Sequence, residues 1–84
     1  MTFSVELSNR AKRFLGGLQK DIALRIIDKL EEVAEAPFRF LEHFEGDDVY
    51  KLRIGDYRAL IDVDFSAQVL KVRVLDKRGR IYKR

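Results

Sequence analysis

Lysines, arginines and tyrosines are the reactive side chains that cluster in this sequence, and they fall in two stretches. The first is Tyr50-Lys51-Leu52-Arg53-Ile54-Gly55-Asp56-Tyr57-Arg58. The second is the end of the chain, where Lys71, Arg73, Lys77, Arg78, Arg80, Lys83 and Arg84 meet a single acid, Asp76. Guanidinium forks take phosphate oxygens bidentately, and an aromatic ring stacks on an unpaired base. The chemistry within reach is therefore capture of a phosphate backbone, with single-stranded RNA the best fit. The net charge is only +3, so the rest of the chain is acidic, a polarity that suggests a polyanion on one side and a basic partner on another. A sheet face of ordinary solvated cations would have the same composition, and that alternative stays open on these residues alone.

Other groups offer less. His43 is the single histidine and there is no cysteine, so a metal would need Glu42, Glu45 or Asp47 as co-ligands at a spacing that matches no closed site. His43 is expected on a surface loop, and no metal or other cofactor is expected. The absence of thiols also excludes disulfide and thiol redox chemistry and suits a reducing cytoplasm. Asp21, Asp28, Glu31, Glu32 and Glu35, mixed with Lys20, Arg25 and Lys29, read as the solvated side of a helix.

The elements that must position the basic residues follow from periodicity. Residues 2–7 alternate, with Phe3, Val5 and Leu7 apolar, which predicts a first strand. Ser8 can cap a helix whose apolar side holds Ala11, Phe14, Leu15 and Leu18, and Gly16-Gly17 should end or bend it. A second helix is expected from about Lys20 to Glu35, with Ile22, Ala23, Ile26, Ile27, Leu30, Val33 and Ala34 in one stripe packed on a sheet. Pro37 stops it. Residues 38–48 are expected as a loop that tucks Phe38, Phe40, Leu41 and Phe44 under the sheet.

Three strands then form an antiparallel meander. Gly55-Asp56 supplies the first turn and Phe65-Ser66-Ala67-Gln68 the second. In the last strand, about Val69 to Leu75, alternation puts Leu70, Val72 and Val74 on one face and Lys71 and Arg73 on the other. Lys51, Arg53, Arg58, Lys71 and Arg73 should then share the open face. The predicted architecture is α+β, in the order β-α-α-β-β-β: an N-terminal strand and two helices packed on one face of a small, mostly antiparallel twisted sheet.

At 84 residues, 46% hydrophobic and 37% charged, the chain is expected to form a single domain over residues 1–84. No apolar run approaches the roughly 20 residues of a membrane span, and the start lacks the basic and apolar regions of a signal peptide. A cytoplasmic protein without membrane association is expected.

Together the pattern Y-x-x-R-x-G-D-Y-R at residues 50–58, the terminal Arg78-Gly79-Arg80-Ile81-Tyr82-Lys83 and the order of elements resemble the RelE/ParE superfamily of toxins, and within it the RelE branch in archaeal form. The resemblance covers nearly the whole chain. It implies the toxin of a type II toxin–antitoxin pair: a ribosome-dependent, metal-independent endoribonuclease, an mRNA interferase, that cleaves mRNA in the A site and arrests translation. A RelB-like antitoxin would hold it inactive in a heterotetramer or larger complex. Carried over residue by residue, the resemblance implies that Arg58 stabilises the phosphorane and that Arg78 assists the same charge and the leaving group. Lys51 and Arg53 would grip the backbone, and Tyr82 would stack on or orient the base. Arg73, Lys77, Arg80 and Lys83 would add RNA contacts.

Departures from the family pattern bear on the proton acceptor. Arg53 stands where some members have a lysine that acts as base, and arginine keeps its proton at any working pH. Lys51, its neutral form favoured by cationic neighbours, or a ribosomal group remains for that task. Lys77 lies where many relatives have histidine, and the chain stops at Arg84 without the C-terminal helix of some members. Two other readings stay open: a ParE-like toxin that poisons DNA gyrase by protein contact, and a noncatalytic module for single-stranded RNA.

Overall fold

Ser8 joins the first two elements of the fold and ties them to the last. In the computed structural model, which describes residues 2–43 and 49–77, it lies between strand β1 (Ser4–Leu7) and helix α1 (Asn9–Gly16). Its hydroxyl accepts the N–H of Ala11 at 3.0 Å, a satisfied N-cap, and donates to the carbonyl of Arg73 at 2.7 Å. Helix α1 ends at Gly16, and α2 (Lys20–Glu35) buries Ile26, Leu30, Val33 and Ala34, as its apolar stripe requires. Ile27, expected in that stripe, is 36% exposed because it sits at the stripe's outer margin.

Helix α2 ends before Pro37, and the chain makes a single 3-10 turn, Pro37–Arg39. A short strand β2 (Glu42–His43) then pairs with β3 (Val49–Ile54), so His43 lies on an edge strand rather than in the expected loop. Phe40 and Leu41 pack partly against the core, whereas Phe38, expected beneath the sheet, is 60% exposed. Phe44, Glu45 and Asp47 lie outside the described residues.

Gly55, at φ +58°, makes the turn into β4 (Tyr57–Asp64), a conformation that a Cβ would strain. The next turn is held by the Asp64 carboxylate, which accepts the N–H of Ala67 at 3.0 Å and the hydroxyl of Ser66 at 2.9 Å. It leads into β5 (Val69–Lys77), which runs two residues further than alternation indicates. The sheet order is β1-β5-β4-β3-β2, with β1 parallel to β5 and the other pairs antiparallel. Both helices pack on one face, where Leu52, Ile54, Ala59, Ile61, Leu70, Val72 and Leu75 meet Ala11, Leu15 and the buried side of α2. Burial of each large aliphatic side chain contributes about 1.5–3 kcal/mol.

One irregularity decides which side chains reach the open face. Leu60 pairs with Val74 but Ile61 pairs with Val72, so Arg73 has no partner residue on β4 and forms a bulge. Beyond it the phase of β5 reverses. Leu75 enters the core at 1% exposure, and Val74, expected there, joins Leu60 on the open face. Lys77 pairs with Tyr57, on the helix side of the sheet.

Candidate phosphate-binding face

Strand pairing assembles the site, because residues opposite one another across a sheet project to the same face. Arg58 faces Arg53 on β3 and Asp76 on β5, while Lys51 faces Leu60 and Lys71 faces Asp62. Lys51, Arg53, Arg58, Lys71 and Arg73 therefore share the face turned away from the helices.

Arg58 is fixed there by its own turn. The backbone doubles back at Gly55, and the Arg58 Nη1 donates to the carbonyls of Gly55 at 2.9 Å and Tyr57 at 2.8 Å. The residue is only 8% exposed, the one charged side chain among the buried described residues. A guanidinium held this far from water is oriented in advance and acts on an approaching anion with less solvent screening. Arg53 opposite is exposed, and no carboxylate pairs with it among the described residues. It also lines a groove of about 470 Å³ with Arg25, Asp28, Lys29 and Glu32 of α2.

The other cations stand beside carboxylates. Lys51 lies 3.5 Å from Glu42, Arg73 3.5 Å from Asp62 and Lys71 4.0 Å from Asp64. The open face is thus interleaved, not the uniform bed of cations expected from composition. Lys51 thus has a carboxylate beside it and not only the cationic neighbours expected from the sequence. Exposed pairs of this kind hold weakly and can be exchanged for a stronger anion. Asp64 is held below the ordinary carboxylate range, chiefly by the N–H of Ala67, then by the Ser66 hydroxyl, with Lys71 a smaller influence against partial desolvation.

Sequence reasoning missed the carboxylates on this face. Asp62 and Asp64 were detectable, since they share the alternation of Arg58. Glu42 was not, because only the β2–β3 pairing brings it to Lys51. Lys77 is exposed but lies on the side opposite Arg58, in register with Tyr57, whose ring meets Phe14 edge-on at 5.9 Å. Arg78, Arg80, Tyr82 and Lys83 lie outside the described residues. The strand that precedes them brings the chain to the beginning of β4, with Asp76 in register with Arg58.

The comparisons with known proteins agree with this architecture. The family model for the ParE toxin of the type II toxin–antitoxin system parDE matches residues 5–82. The toxin–antitoxin complex RelBE2 from Mycobacterium tuberculosis contains a chain similar in fold, with TM-score 0.84 and 21% identity, over 93% of this chain and 100% of that one. The archaeal RelE–RelB complex from Pyrococcus horikoshii gives TM-score 0.76 and 29% identity over 95% and 99%. The intact E. coli RelBE toxin–antitoxin complex gives 0.74 and 26% over 93% and 99%. No curated protein matches the sequence. Among the described residues, no helix is long and apolar enough to cross a membrane.

Proposed function

We propose that this chain, which belongs to the ParE toxin family of type II toxin–antitoxin systems, is a RelE-like endoribonuclease that cuts mRNA in the ribosomal A site and is silenced by a RelB-like antitoxin. The observation that carries this reading is the Arg53–Arg58 pair: two arginines stand in register at the end of the sheet, one with its guanidinium prearranged by backbone carbonyls and one exposed. The RelE–RelB complexes at 26–29% identity support the toxin–antitoxin pairing.

In the proposed reaction the ribose 2′-oxygen attacks the adjacent phosphorus and loses its proton to a ribosomal group. The P–O5′ bond breaks and the 5′-oxygen takes up a proton, which leaves a 2′,3′-cyclic phosphate and a 5′-hydroxyl. Arg58 stabilises the extra negative charge on the phosphorane, where a fixed donor is most effective. Lys51 and Arg53 grip the backbone, Lys51 exchanging Glu42 for phosphate. Arg78 assists the leaving oxygen, Tyr82 orients the base, and Arg73, Arg80 and Lys83 are peripheral RNA contacts, whereas Lys77, on the helix side of the sheet, takes no part. The cytoplasm is the compartment this substrate implies.

Induction in cells followed by mapping of transcript 5′ ends tests the proposal. Cuts within translated codons, with 5′-hydroxyl ends, should appear for the native chain and vanish for Arg58→Ala and Arg78→Ala. The description of the matching family as ParE favours a second reading, a gyrase poison acting by protein contact. Growth arrest with DNA damage and no new transcript ends would select it.

A further inference from the structure

Helix α2 buries one side against the sheet and turns two large aliphatic side chains outward: Leu24 is 49% exposed and Ile27 36%. They belong to a longer pattern. Lys20, Leu24, Ile27 and Glu31 are spaced four, three and four residues apart, so at about 100° per residue they fall within about 60° of one another and form one exposed stripe. The stripe reads cation, aliphatic, aliphatic, anion, with the same spacings from either end. Among the described residues no ion pair engages Lys20 or Glu31.

These charges stand where the helix itself disfavours them. Lys20 is the first residue of α2, at the positive end of the helix dipole, and Gln19 before it makes no side-chain cap. Glu31, Glu32 and Glu35 gather toward the negative end, with no basic residue in the last turn. An antiparallel copy of the same helix complements the whole stripe. With a two-fold axis through its middle, Leu24 of each copy meets Ile27 of the other, Lys20 of each meets Glu31 of the other, and each dipole end lies beside its opposite. Other occupants fit less well. The helix carries five acids against three bases, which disfavours a nucleic acid, and two exposed aliphatic side chains among eight charged ones are too few for a membrane surface.

We infer that the stripe of Lys20, Leu24, Ile27 and Glu31 is an isologous contact through which two copies of this chain pair with their α2 helices antiparallel. A helix of 16 residues is about 24 Å long and about 10 Å wide, so the strip it covers falls well short of the roughly 800 Å² that each member of a standard interface buries. The dimer is therefore weak and reversible, and it forms as the free chain accumulates. Because α2 packs on the sheet face opposite Arg53 and Arg58, pairing leaves both phosphate-binding faces uncovered.

The test is sedimentation equilibrium of the purified chain at low ionic strength, from about 10 μM to about 1 mM. The native chain should pass from monomer to dimer with a Kd on the order of 100 μM. Lys20→Glu and Glu31→Lys should each weaken pairing about tenfold or more, because each sets like charges against one another twice across the two-fold axis. An equimolar mixture of these two variants should pair at about native strength, since every charge then faces its opposite. Leu24→Glu should abolish pairing over the same range. A native chain that stays monomeric at the highest concentration overturns the inference, as does a mixture that pairs no better than its separate components. Association that Leu24→Glu leaves unchanged places the contact elsewhere and overturns it too. Growth beyond the dimer does the same, because an isologous contact closes at two copies. Circular dichroism verifies the fold, and where Leu24→Glu does not fold, the two charge variants and their mixture decide the outcome alone.

Discussion

Arg53 and Arg58 stand directly opposite each other across β3 and β4, two like charges at a position where opposite charges or apolar pairs would stabilise the sheet. The carbonyls of Gly55 and Tyr57, and Asp76 in register on the other side of Arg58, offset part of the repulsion. An incoming phosphate would offset the rest. Arg53→Ala should therefore stabilise the free protein by about 0.2–1 kcal/mol and lower cleavage about ten- to hundredfold through loss of a charge-assisted bond. Thermal unfolding and a cleavage assay on programmed ribosomes measure the two effects. A variant with lower stability and unchanged cleavage would show that the pair is structural.

Arg58→Ala should behave differently from its neighbour, because the side chain it removes is buried. Loss of the bonds to Gly55 and Tyr57 should cost about 1–3 kcal/mol, and loss of the fixed donor about 100- to 1000-fold in cleavage rate. Arg58→Lys keeps the charge but not the planar fork, so it should regain little of the rate. Near-native cleavage by the lysine variant would reduce the role of Arg58 to charge alone.

The parts of this molecule that were legible in its sequence are those decided by neighbours a few residues apart. The Ser8 cap, the α2 stripe ended by Pro37 and the Gly55-Asp56 turn each follow from local chemistry, and they set the order of elements. The common face of Arg53 and Arg58 followed from alternation plus one turn. Pairings between distant segments were not legible. Strand β2 exists because Glu42 and His43 meet Lys51 and Tyr50, and nothing in its own two residues indicates it. Phe38 stays outside because Phe40 and Leu41 fill the space against the core. The carboxylates beside the basic residues were visible by parity, but their effect depends on distances that only the folded sheet defines.

The acid limb of the stability curve gives a prediction for Asp64. Its carboxyl is held below the ordinary range mainly by the Ala67 N–H and the Ser66 hydroxyl. A group depressed in the folded state contributes stability above its unfolded value, about 3.9, and that contribution disappears as pH falls through the folded value. Asp64→Asn should therefore unfold at lower temperature than the native chain near pH 6, with the gap closing as the pH drops below about 4. Melting curves across that window measure it. A gap that stays constant would mean that the turn is held by shape and not by charge.

The bulge at Arg73 makes adjacent residues of β5 respond in opposite ways to the same change. Simple alternation would put Val74 in the core with Leu70 and Val72, and would turn Leu75 outward with Lys71 and Arg73. The observed phase reversal puts Leu75 against the helices and leaves Val74 half-buried beside Leu60. Leu75→Ala should cost about 2–5 kcal/mol through lost burial and the cavity it leaves, whereas Val74→Ala should cost well under half as much. Deletion of Arg73 should cost less than Leu75→Ala, because it removes the extra residue and leaves Val72 inward, Val74 outward and Leu75 inward in regular pairing, its cost confined to the lost carbonyl that accepts the Ser8 hydroxyl and the lost ion pair with Asp62. Chemical denaturation of the three variants gives the ranking. Greater damage from Val74→Ala than from Leu75→Ala would mean that the strand keeps its phase through Arg73, and Arg58 and Asp76 would then no longer share a face.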